Sequence, residues 1–115
     1  MFFDSSRSVE VTTKLERHAE QLSALGHPVR LTVLRHVVQA GDEGTTAGDI
    51  QAHVKLPAST LSHHLKRLVD AGLLTTWGEG TFHFYAADYR ALKALTEYLW
   101  EDCCKRGSSG SPKCC

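Results

Sequence analysis

Apolar positions recur along most of this chain at three- to four-residue intervals, the spacing that lines one face of a helix. Val11, Leu15, Ala19, Leu22 and Leu25 form the first such stripe, and Gly26 stands where a glycine relieves the left-handed turn after a helix. Pro28 sits at a favoured first helical position, and Leu31, Leu34, Val37 and Val38 predict a second helix ending at Gly41. Gly41-Asp42-Glu43-Gly44 reads as a loop. Thr45 or Thr46 can cap a short third helix through about Val54, with Ile50 and Val54 inward. "KLPAST" is a turn, because Pro57 blocks helical continuation. Ala58 or Ser59 starts a fourth helix with Leu61, Leu65 and Leu68 in register, closed by Gly72.

The pattern then changes. "LLTTWGEGTFHFYAA" is rich in Thr and aromatic residues and is split by Gly78-Glu79-Gly80, which predicts a hairpin. Asp88 opens a last helix with Leu92, Leu95 and Leu99 inward, running to Cys103 or Cys104. A short helix, a tight turn and a second amphipathic helix make a helix-turn-helix. The hairpin directly after it is a wing. The predicted fold is mainly α with a small β-hairpin: a winged helix-turn-helix of five helices, the wing between the fourth and fifth. Residues 1–106 form one domain, and 107–115 a Gly/Ser tail carrying the last two cysteines.

Composition adds bounds. The 115 residues are 42% hydrophobic and 23% charged, ordinary values for one globular domain. No apolar run approaches the ~18 residues of a membrane span. Met1-Phe2-Phe3-Asp4 lacks a basic segment followed by an apolar stretch, so no secretory signal and a cytoplasmic location are expected. Net charge is zero, which argues against bulk coating of nucleic acid and leaves local surfaces to decide. On the fourth helix Ser59, Thr60, Ser62, His63, Lys66 and Arg67 lie largely off the leucine stripe. Hydroxyls near a helix N-terminus with cations further along suit a helix in the major groove of duplex DNA; alone, they would equally suit a solvated face. No Ser-His-Asp arrangement, phosphate-binding glycine loop or carboxylate pair is legible, so no enzyme is expected.

"LSALGHPVRLTVLRHV" followed by "STLSHHLKRLVDAGLL" and a wing resembles the ArsR/SmtB family of metal-responsive repressors over about residues 12–104. The resemblance implies a homodimer joined through the first and last helices. It also implies repression at a near-palindromic operator, relieved when a ligand binds. Ser62 and His64 fall on the Ser and His of the family's recognition helix; by face counting, His64 lies nearer the core edge than His63. Three stretches depart from the family's patterns. The wing tip Gly78-Glu79-Gly80 has no cation, "TAGDIQAHV" has none of the arsenic-sensing cysteines, and Asp88-Tyr89-Arg90 breaks the zinc pattern of the last helix.

All four cysteines are gathered in two doublets, Cys103-Cys104 and Cys114-Cys115. Soft thiolates select soft ions. Trivalent arsenic and antimony favour three sulfurs in a pyramid, which one doublet plus a thiol from the tail can supply. Zinc takes a tetrahedron, usually from more widely spaced cysteines. The four cysteines are therefore expected to hold As(III) or Sb(III) as inducer. The alternatives are zinc or cadmium, thiol oxidation at the same residues, or incidental surface thiols.

Overall fold

The computed structural model describes residues 9–107, with side chains from residue 13 onward. Helix α1 (Val9–Leu25) ends at Gly26, whose N–H donates to Ser23 O at 3.2 Å. Helix α2 (Pro28–Val38) is capped by an imidazole: His27 Nδ1 accepts from the Val29 N–H at 3.1 Å. A single 3-10 turn over Gly41–Glu43 leads to β1 (Thr45–Thr46). Thr46 then caps α3 (Ala47–Val54), its Oγ1 accepting from the Asp49 N–H at 3.1 Å. Lys55 ends α3 in the left-handed conformation, φ 59°.

Two residues later Pro57 aims the chain into α4 (Ala58–Asp70). The end of α4 is a full Schellman motif. Gly72, at φ 81°, donates to Val69 O at 2.9 Å, and Leu73 donates to Leu68 O at 3.0 Å. Leu73 O in turn accepts from the Asp88 N–H at 2.9 Å. Between those residues run β2 (Leu74–Glu79) and β3 (Phe82–Ala87), and Asp88 caps α5 (Tyr89–Trp100) through its Oδ1 and the Ala91 N–H at 3.0 Å.

The wing has three strands in the order β1-β3-β2, all antiparallel. Thr45 pairs with Tyr85 and Thr46 with Phe84. The leucines of α4 meet Val33, Leu34 and Val37 of α2, Ile50 of α3, and Leu73, Leu74 and Leu95 in one core. Burying each of the larger side chains contributes about 1.5–3 kcal/mol.

The apolar stripe of α1 lies mostly outside the core of the single chain: Leu15 is 46% and Leu22 42% exposed, while His18, Gln21 and Ala24 are the buried positions. Two expectations need correction. Leu99, expected inward, is 58% exposed. Helix α5 stops at Trp100, short of the cysteines. Glu101 is extended (ψ 144°), and Asp102 (φ 65°) and Cys104 (φ 64°) are left-handed, so no helix can pass through them. Among the described residues no helix is long and apolar enough to cross a membrane.

Candidate nucleic-acid interface and sensor site

At about 100° per residue, Ser62, Lys66, Ser59, His63, Arg67 and Thr60 span an arc of about 160° on α4. Leu61, Leu65, Leu68 and His64 occupy the rest. Ser59, Thr60, Ser62, His63 and Lys66 are exposed. Lys66 Nζ reaches only its own helix, 3.0 Å from Asp70 Oδ2, and both side chains are well exposed. That pair is weak and easily exchanged for a phosphate. Arg67 is different. Its guanidinium turns back onto α1, donating to Glu20 Oε2 and, at 3.1 Å, to Ser23 Oγ. It clamps α4 to α1 at the edge of the exposed arc.

His64 lies beneath this surface, as face counting expects. Its Nδ1 is 3.3 Å from Arg30 Nη1 and its ring is 4.8 Å from that of His27. Arginine only donates, so His64 Nδ1 accepts and carries no proton. Burial, then the neighbouring His27, Arg30 and His63, lowers the His64 pKa below its ordinary value. Arg30 Nε also donates to Ala24 O at 2.6 Å, so one side chain holds α1, α2 and α4 together. A second cluster joins α2 to α3. His36 Nε2 is 2.8 Å from Asp49 Oδ2, which also accepts from Thr45 Oγ1 at 2.7 Å, and the His36 and His53 rings stack at 4.1 Å. The Thr45 hydroxyl first, then the His36 ring, lowers the Asp49 pKa. Neither cluster was legible in the sequence, because each joins residues far apart with no shared spacing signal.

Cys103 and Cys104 lie in overlapping four-residue turns after α5, marked by Cys103 N–H to Trp100 O at 2.9 Å and Lys105 N–H to Asp102 O at 3.0 Å. Their sulfurs are 3.4 Å apart. Cys104 is disulfide-bonded, so its thiolate becomes available to an ion only on reduction. A surface pocket lined by Asp102, Cys104, Lys105 and Arg106 opens beside it. Cys114 and Cys115 lie outside the described residues. Among those described, no three His, Cys, Asp or Glu side chains are grouped to hold a metal.

Residues 25–76 match the family model described as a helix-turn-helix domain. The chain is 30% identical over 101 residues to the arsenical resistance operon repressor of Bacillus subtilis, covering 88% of this chain and 92% of that one. It is 35% identical over 78 residues to the arsenical resistance operon repressor of Staphylococcus xylosus, covering 68% and 72%. Among solved structures, it resembles the homodimeric winged helix-turn-helix DNA-binding domain of a possible ArsR-family regulator from Mycobacterium bovis. There the TM-score is 0.64 with 26% identity, over 89% of this chain and 92% of that one.

Proposed function

Because this chain belongs to the ArsR family of winged-helix transcriptional repressors, DNA-binding proteins rather than enzymes, we propose that it represses as a homodimer and is released from its operator by trivalent arsenic or antimony. In this reading the exposed arc of α4, Ser59, Thr60, Ser62, His63 and Lys66, enters the major groove, with Arg67 at its edge. One recognition helix reads few base pairs, so two half-sites about one helical turn apart are expected. The unpartnered apolar faces of α1 and α5, with Leu15, Leu22, Leu99 and Trp100 (63% exposed), favour pairing of two copies through those helices. The arsenical-resistance repressors among its relatives favour a metalloid inducer.

The observation that carries the sensing half is the spacing of the first doublet. Two sulfurs 3.4 Å apart, each about 2.3 Å from a shared ion, subtend about 95° at it. A tetrahedral ion with the same bonds needs about 3.8 Å. The doublet is therefore within the span that one ion can bridge once Cys104 is reduced, and a third thiol from Cys114 or Cys115 would complete a pyramidal site.

The test is release of fluorescent operator duplex, selected from a randomised pool, under reducing conditions. Antimonite and arsenite should act well below the zinc concentration required. Cys103→Ser/Cys104→Ser should bind the duplex normally and fail to respond, and removal of Cys114 and Cys115 should blunt the response. If zinc acts at the lower concentration, or the double variant still lets go, the cysteine site is misassigned.

A further inference from the structure

Helices α1 and α5 diverge around a cleft of about 630 Å³ near the start of α5, a size within the usual range for small-molecule sites. Arg17 from α1 and Arg90 from the first turn of α5 line it. Among the described residues neither guanidinium has an ion-pair or hydrogen-bond partner, whereas Arg30 and Arg67 are both engaged. The third cation, Lys14, is committed elsewhere: its Nζ is 3.6 Å from Glu101 Oε1 and 5.4 Å from the centre of the Tyr98 ring. The one acid in the lining, Asp88, spends an oxygen on the Ala91 N–H as helix cap. The cleft is thus short of negative charge, and its two open groups are the forked donors that match a carboxylate.

The floor supplies the opposite kind of group. His18 is 5% exposed, and its Nδ1 is 3.0 Å from Gln21 Oε1. Gln21 Nε2 donates to Ala71 O at 3.4 Å, which sets the amide orientation. Gln21 Oε1 is then the acceptor, so His18 Nδ1 donates to it, and in the neutral ring Nε2 is the acceptor. No buried side-chain nitrogen or oxygen among the described residues lacks a partner, so Nε2 keeps some solvent access, and His18 is one of the residues that line the cleft. Ala91 and Ala94 make the remaining wall apolar.

We propose that this cleft binds a small organic acid carrying a hydroxyl: the carboxylate on Arg17 and Arg90, the hydroxyl donating to His18 Nε2. The ligand would bridge the two helices whose apolar faces stand open, and so bias how two copies pair. The site is separate from the cysteines and does not rest on the metalloid reading.

Binding of 4-hydroxybenzoate to the reduced full-length protein, measured by calorimetry and saturation-transfer NMR, tests this. Benzoate, which lacks the donor, and inorganic phosphate, which lacks the apolar body, are the comparison ligands. Arg17→Ala and Arg90→Ala should each weaken 4-hydroxybenzoate about tenfold, and Ala94→Trp should block it by filling the cleft. Circular dichroism checks each fold, and Arg90→Lys should recover part of the affinity. Cys103→Ser/Cys104→Ser should bind it as wild type does, which separates failure here from failure of the sensor. Equal affinity for benzoate overturns the hydroxyl assignment, and tighter phosphate binding overturns the organic acid. The site itself is overturned if operator-competent protein binds none of the three. The same holds if the arginine variants instead become monomeric by sedimentation, since the guanidinia would then serve the partner chain.

Discussion

Gly44→Ala should destabilise the protein far more than Gly41→Ala, three residues earlier in the same loop. Both glycines have positive φ, 76° and 73°. At Gly41 a Cβ would meet nothing within 4 Å, so only backbone strain is added, about 1–2 kcal/mol. Gly44 combines φ 76° with ψ −173°, a region open essentially to glycine alone and costing about 1–3 kcal/mol. Its Cβ would also stand 2.6 Å from Tyr85 O and 2.8 Å from Trp77 Cη2. The carbonyl belongs to the strand that β1 pairs with, so it cannot yield without loosening the Thr45–Tyr85 register. Overpacking of this kind adds about 1–3 kcal/mol, giving about 3–4 kcal/mol in all. For a domain this size the melting temperature should fall by on the order of 15 °C. Urea and thermal melts at one fixed protein concentration measure it, since association would otherwise shift the midpoint. A Gly44→Ala variant within about 0.5 kcal/mol of Gly41→Ala would refute the steric argument and show that the sheet edge gives way freely.

Further outcomes follow from other groups. His64 is held neutral in the folded chain, so below about pH 6.5 the unfolded chain takes up more protons. Its contribution is therefore complete above that pH and lost as pH falls, and His64→Gln should flatten the acid limb of a urea-midpoint profile. Lys66→Ala should reduce the salt slope of operator binding by about one unit per subunit. Arg67→Ala should change that slope less and lower stability instead, through loss of the clamp to Glu20 and Ser23. Leu22→Glu or Leu99→Glu should yield a folded monomer by sedimentation and, with one recognition helix per particle, weak operator binding.

The leucines of α4, the Gly72 stop, the Thr46 cap and the hairpin could all be read in advance, because each is written in local spacing or in one residue's backbone preference. The α1 stripe was also there to read, but periodicity says only that a face is apolar and not what covers it. Within one chain His18, Gln21 and Ala24 take the inner side, leaving Leu15 and Leu22 outside. Strand β1 is two residues long, too short for any alternation to register. The end of α5 was overrun because neither glycine nor proline marks it; the break falls at Glu101, with Asp102 and Cys104 left-handed. The contacts of Arg67 with Glu20 and Ser23 were not legible, because Glu20 lies 47 positions away in sequence. The pairing of Arg30 with His64 and the open cleft at Arg17 and Arg90 are likewise products of tertiary placement.

Leu73 has a mechanical consequence. The residue is fully buried, its N–H closes the end of α4 on Leu68 O, and its carbonyl receives the Asp88 N–H that begins α5. Helices α4 and α5 are thus pinned to one residue, with no slack linker between those two bonds. Helix α5 has twelve residues, an arm of about 18 Å pivoting at Asp88. A displacement of about 2 Å at its cysteine end is a rotation of about 6° at that pivot. With no hinge to absorb it, the rotation must be taken up either by tilting α4 against α2 or by breaking the Asp88–Leu73 bond. Lengthening the chain between Ala87 and Asp88 by a glycine or two would introduce backlash, leaving each end of the arm working while the two no longer move together.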